Sequence, residues 1–151
     1  MSIFPTTILL ATDGSKQAER AARTAVDIAA NTNSELHMVT VARLEPRPVH
    51  DIPESGNYLK TMYASIEREA QEVLDKQVKK IEHAGGITPQ VHLGRGRADR
   101  EIVHLAEEIG AGLIVMGSRG RGGVRRALMG SVSDSVVRHA HCPVLIMREE
   151  K

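Results

Sequence analysis

Along the chain the apolar residues switch repeatedly between two spacings, and the switching predicts the architecture. Short unbroken apolar runs occur in "TTILLATDG", in "ELHMVTVA" at residues 35–42, and in "TPQVHLG", "GLIVMG" and "PVLIM". Runs of this kind suit strands covered on both faces, as in a parallel sheet. Between them the period lengthens to that of a helix. Ala18, Ala21, Ala22, Ala25, Val26 and Ala29 form one stripe, with Ser15 as N-cap. Met62, Ile66, Ala70, Val73, Leu74, Val78 and Ile81 form a second, read as core or interface and stopped by Gly85-Gly86. A third helix is predicted over residues 99–109. A fourth opens at Ser131, with Asp134 three residues on as a capping box. Residues 43–60, holding Pro46, Pro48, Pro53 and Gly56, read as a long loop. Alternating strands and helices predict an α/β fold, a doubly wound parallel sheet with helices on both faces, in a single domain over residues 1–151.

In such a sheet ligands sit beyond the carboxyl ends of the strands, where the strand order reverses. Three loops reach that position: residues 12–15, the chain from Val41 onward, and residues 117–131. The last lies within "VMGSRGRGGVRRALMGSVSDSV", rich in glycine and arginine. Gly117 and Gly122 have P-loop separation, but Gly123 and Val124 stand where Lys and Ser/Thr are required. The dinucleotide pattern G-x-G-x-x-G fails as well, because Gly120-Arg121-Gly122 is followed by Arg125. What remains is general physics. Gly117 and Gly120 let backbone approach a ligand, and Gly130 and Ser131 stand at a helix N-terminus that favours an anion. Ser131 and Ser133 add hydroxyl donors. Two plainer readings stand beside these: the glycines serve only as turn residues, and Asp13-Gly14 is only a turn or cap.

Composition narrows the function classes. A formal net charge of +1 gives no basic field for nucleic acid, and 2% aromatic residues give no base-stacking platform. Arginines nonetheless crowd residues 94–126, which points to a local anionic partner. The single cysteine, Cys142, cannot form an internal disulfide, in keeping with a reducing cytoplasm. The amino terminus reads as neither signal peptide nor anchor, and no run is long enough to span a membrane. His139, His141 and Cys142 cluster in "RHAHC", but structural zinc wants four ligands and usually a second cluster, so no metal site is predicted. His37 and His92 read as surface or sheet residues.

The spacing Gly117-x2-Gly120-x9-Gly130-Ser131 resembles the nucleotide motif of the ATP-binding branch of the universal stress proteins. "ILLATDGS", "LIVMGSRGRGG" and "GSVSDSVVRHAHCPVLIM" extend the resemblance over nearly the whole chain. It implies an adenine nucleotide alpha hydrolase-like fold of five parallel strands in the order 3-2-1-4-5. It also implies a homodimer through the C-terminal strand, which the apolar edge itself invites. Carried over by position, Ala11, Thr12, Asp13 and Val41 hold adenine and ribose, with the Val41 backbone at the adenine edge. Met116 and Gly117 line the sugar and first phosphate, while Gly120, Gly130, Ser131, Val132 and Ser133 cradle the phosphates. The expected ligand is ATP, with or without Mg2+, and Arg119, Arg121, Arg125 and Arg126 lie between the motif glycines. The implied function is a nucleotide-dependent regulator of the stress response, read by a protein partner. No catalytic residue can be named beyond a speculative Asp13, so hydrolysis is expected to be slow at most. A nucleotide-using hydrolase or transferase of the same fold, and a dimeric scaffold that binds no nucleotide, are the alternatives.

Overall fold

The computed structural model describes residues 2–44, 56–85, 87–118 and 130–148. Strands and helices alternate as β1 (Thr7–Ala11), α1 (Lys16–Thr32), β2 (Glu35–Ala42), α2 (Gly56–Gly85), β3 (Gln90–Arg95), α3 (Ala98–Ile109), β4 (Ala111–Gly117), α4 (Ser131–His139) and β5 (Val144–Met147). The strands form one sheet in the order β3-β2-β1-β4-β5, and every pairing is parallel. This is the predicted doubly wound sheet. β1 lies between β2 and β4, so the strand order reverses there and opens a crevice above its carboxyl end.

Alternation along β1 divides the apolar residues between two cores. Ile8 and Leu10 join Ala21, Ala25 and Leu74 on the face covered by α1 and α2. Leu9 and Ala11 join Val39, Ile102, Ile114 and Val136 on the face covered by α3 and α4. The alanine stripe of α1 is buried at Ala18, Ala21, Ala22, Ala25 and Ala29, and small side chains let this helix lie close to the sheet. Its cap is the predicted one, with Ser15 Oγ accepting from the Ala18 N–H at 3.1 Å.

Two boundaries differ from expectation. Helix α2 begins at Gly56, so the last five residues read as loop are helical. The reason is the position of Pro53: beyond it no proline opposes a helix. Of the rest of that predicted loop, residues 45–55 lie outside the described residues. Helix α4 is capped by Gly130, not Ser131, which occupies its first turn, and no side chain caps it. Asp134 closes no capping box. Its N–H bonds to Gly130 O at 2.9 Å and its carboxylate pairs with Arg138 Nε at 3.1 Å.

Candidate functional site

A cleft of about 390 Å³ lies over the carboxyl ends of β1, β2 and β4. It is lined by ten of the eleven residues expected at the ligand: Ala11, Thr12, Asp13, Val41, Met116, Gly117, Gly130, Ser131, Val132 and Ser133. Gly120 lies outside the described residues, as do the four arginines of that segment. The cleft has walls that sequence reasoning missed. Ile66, Glu69, Ala70 and Val73 of α2 line it, as do Ala98 and Ile102 of α3, and Arg43 stands at the end of β2. Ile66, Ala70 and Val73 belong to a stripe read as core or interface. Helical period shows which face is covered, but not that a gap separates part of it from the sheet. A hollow of about 520 Å³ at Lys79, Lys80, His83 and Ala84 is larger, but it lies on the opposite part of α2, away from the strand ends.

The turn after β1 is held by its own residues and by β2. Thr12 N–H donates to Val39 O at 3.0 Å, and Thr40 Oγ1 donates to Thr12 O at 2.8 Å. Gly14, at φ 81°, takes the left-handed conformation that only glycine adopts cheaply, and its N–H donates to Thr12 Oγ1 at 3.3 Å. Asp13 Oδ1 accepts from the Ser15 N–H at 2.9 Å, an Asx turn, while Asp13 also lines the cleft. The turn role and a place at the cleft therefore coexist in one side chain.

The junction after β4 assigns its glycines differently from the sequence reading. A Cβ on Gly117 would stand 3.0 Å from Gln17 Cβ and 3.3 Å from that residue's backbone carbonyl carbon. The missing side chain makes room for α1, and Gly117 also lines the cleft. Gly130 has φ −75°, open to any residue, and its N–H donates to Ser118 O at 2.6 Å. Ser133 is buried, and its hydroxyl donates to Ser118 O at 2.6 Å and lies 3.1 Å from Gly130 O. That hydroxyl, expected as a free donor, is engaged with backbone. Ser131 is exposed at the mouth of the cleft. The N–H groups of Ser131, Val132 and Ser133 open α4 and have no acceptor within the helix, so they and the helix dipole favour negative charge there.

Residues 5–148 match the universal stress protein family. The chain belongs to this family. It is 35% identical over 144 residues to a universal stress protein of Methanocaldococcus jannaschii, covering 95% of this chain and 82% of that one. Among solved structures it resembles a universal stress protein of Lactobacillus plantarum with a TM-score of 0.84 at 24% identity, covering 97% of this chain and all of that one. It also resembles a universal stress protein in complex with cAMP, with a TM-score of 0.69 at 28% identity over 96% of this chain and 97% of the other. The sheet and its strand order are those of the adenine nucleotide alpha hydrolase-like fold of this family.

In this universal stress protein the charged groups near the cleft are tied across elements. Ser135 Oγ of α4 donates to Asp99 Oδ2 of α3 at 2.7 Å, and Arg97 pairs with the same carboxylate at 3.0 Å. Burial pulls the Asp99 carboxyl upward, but hydrogen bonds from Ser135, the Arg100 backbone and Arg97, with the Arg97 charge, together hold it below the usual range. Far from the cleft, His37 and His92 form a pair that the sequence did not reveal. His37 Nδ1 lies 2.9 Å from His92 Nε2, with ring planes 10° apart. Burial, and then the neighbouring His37, lower the His92 pKa against a smaller opposing pull from Glu108. Cys142 is only partly buried, less than expected, and burial raises its thiol pKa, away from reactive thiolate. No group of three or more metal-ligating side chains converges among the described residues, and no helix there is long and apolar enough to cross a membrane.

Proposed function

We propose that this universal stress protein binds ATP in the strand-end cleft and acts as a nucleotide-dependent regulator of the stress response in the cytoplasm. The observation that carries the reading is convergence. Strand-end backbone at Val41, the carboxylate of Asp13 and the open N–H groups of α4 all border one cleft of about 390 Å³. The parts fit the parts of an adenine nucleotide. Val39, Val41 and Ile102 give an apolar wall for the base, and Val41 offers backbone groups at its edge. Asp13 borders the cleft with a carboxylate, an acceptor suited to ribose hydroxyls. The N-terminus of α4 suits phosphate oxygens, and Mg2+ accompanying the triphosphate would be held largely by phosphate and water. A cAMP complex of a relative at 28% identity supports an adenine nucleotide as the ligand class.

The same reading includes a homodimer through β5. That strand is a sheet edge, and its four residues, Val144 to Met147, are all partly exposed. An edge of this kind offers unpaired backbone groups to a second copy. Turnover is slow in this account, because among the described residues the cleft carboxylates Asp13 and Glu69 belong to no metal-ligating group of three. The test is direct. Purified protein is denatured and its supernatant analysed for adenine nucleotide, and nucleotide-free protein is titrated with ATP, ADP and cAMP by calorimetry. ATP binding at micromolar concentration supports the reading. Binding of cAMP alone would replace ATP as the ligand, and no saturable binding by any of the three would refute the proposal.

A further inference from the structure

Ser133 stands in the first turn of α4, and its hydroxyl makes a connection that the cleft does not require. Its exposure is 2%. The hydroxyl and the Gly130 N–H both lie 2.6 Å from one carbonyl oxygen, Ser118 O. A carbonyl has two lone pairs, so these two donors fill it. Ser118 is equally buried and is itself fastened on two other sides. Its N–H donates to Met147 O of β5 at 2.8 Å, and its Oγ donates to Gln17 Oε1 of α1 at 3.1 Å. A single buried residue thus joins the end of β4 to α1, to β5 and, through Ser133, to α4.

The orientation of α4 decides what its open N–H groups can do. Hydrogen bonds weaken steeply when the donor angle falls below about 120°, so an anion gains from these groups only while the helix end is held on aim. Ser131 and Ser133 differ in this respect. The hydroxyl of exposed Ser131 can turn to a ligand, whereas that of Ser133 cannot reach one without leaving Ser118 O.

We propose that Ser133 is a positioning residue: by bonding Ser118 O its hydroxyl fixes the N-terminus of α4 on the phosphate end of the cleft, and that hydroxyl does not itself bind phosphate. The inference rests on the nucleotide reading above. Its test combines calorimetry of adenosine, AMP and ATP with hydrogen exchange of the Gly130 amide in ligand-free protein. For Ser133→Ala, loss of one neutral hydrogen bond predicts ATP affinity about tenfold weaker, with less loss for AMP and least for adenosine. The Gly130 amide, left as the sole donor to Ser118 O, exchanges faster. Ser133→Thr keeps the hydroxyl and restores both readouts. Ser133→Cys keeps the size with a weaker donor and gives the same ordering of losses should the alanine variant fold poorly. A tenfold loss for ATP with unchanged Gly130 exchange would make Ser133 a direct phosphate ligand and overturn the proposal. Equal losses for adenosine and ATP would overturn it too. If the wild-type protein binds none of the three ligands, the nucleotide reading fails. The ligand-free exchange rates then decide the clasp by themselves, faster exchange rescued by threonine sustaining it and unchanged exchange refuting it.

Discussion

The two loops that meet over the reversal of strand order are built on opposite plans. After β1 the chain closes on itself, with Gly14 bonded to Thr12 and Ser15 to Asp13 two residues apart, and Ala18 to Ser15 three apart. After β4 the chain is held from a distance, Ser118 reaching Gln17 across 101 residues and Ser133 across 15. The first turn has bonds within itself, to which β2 adds Thr12 N–H to Val39 O and Thr40 Oγ1 to Thr12 O. The second has its bonds only once α1, β4, β5 and α4 are assembled, so the phosphate end of the proposed site depends on more of the fold than the ribose end does. Damage at the two places should therefore look different.

The largest effect is expected at Gly130. Its φ suits any residue, and aspartate is a good N-cap, so Gly130→Asp should fold with helix stability unchanged or raised by a few tenths of a kcal/mol. The same carboxylate would oppose a triphosphate at the helix end, and ATP affinity should fall by about a hundredfold or more. Thermal melting and calorimetry on one sample separate the two signs. Next comes Gly117→Ala, where the new methyl meets Gln17 at 3.0 Å and must push α1 or the junction aside. Overpacking of this kind costs about 1–3 kcal/mol, read as a shift in urea midpoint. Ser15→Ala, on the local loop, removes one cap and should cost about 1 kcal/mol in the same measurement.

The smallest effects concern pH. His92 titrates below its ordinary value near 6.5, so the unfolded chain takes up the proton first and stability declines as pH falls below that value. Asp99 titrates below its ordinary 3.8, so its contribution is complete above that value and is lost as pH falls from it through the folded-state pKa. Urea midpoints across this range should show two acid steps. His92→Gln should remove the upper one, and Ser135→Ala should move the lower one toward 3.8.

Period and punctuation revealed the sheet because the central strands β1, β2 and β4 are buried on both faces and each helix carries one apolar stripe. Residues 35–42 of β2 and the Ser15 cap of α1 were readable for that reason. The start of α2 was not, since prolines up to Pro53 hid where the helix resumed. At the cleft, topology made the three strand-end loops legible, and the family resemblance singled out Asp13, Val41 and Gly130 within them. What each does there was less legible. Gly117 serves helix packing and Ser133 serves Ser118, and both facts depend on contacts between segments far apart in the chain. The His37–His92 pair was hidden in the same way, formed across neighbouring strands in a register no single strand reveals.

The central claim is that α4 presents its open N–H groups to the phosphates of a bound nucleotide. The measurement that tests it most directly is an amide NMR titration of nucleotide-free protein with adenosine and with ATP. Both ligands should shift Val41 saturably, and ATP alone should strongly shift Ser131, Val132 and Ser133. Shifts at Val41 with none at the start of α4 would contradict the placement of the phosphates, and no saturable shift with either ligand would contradict the site itself.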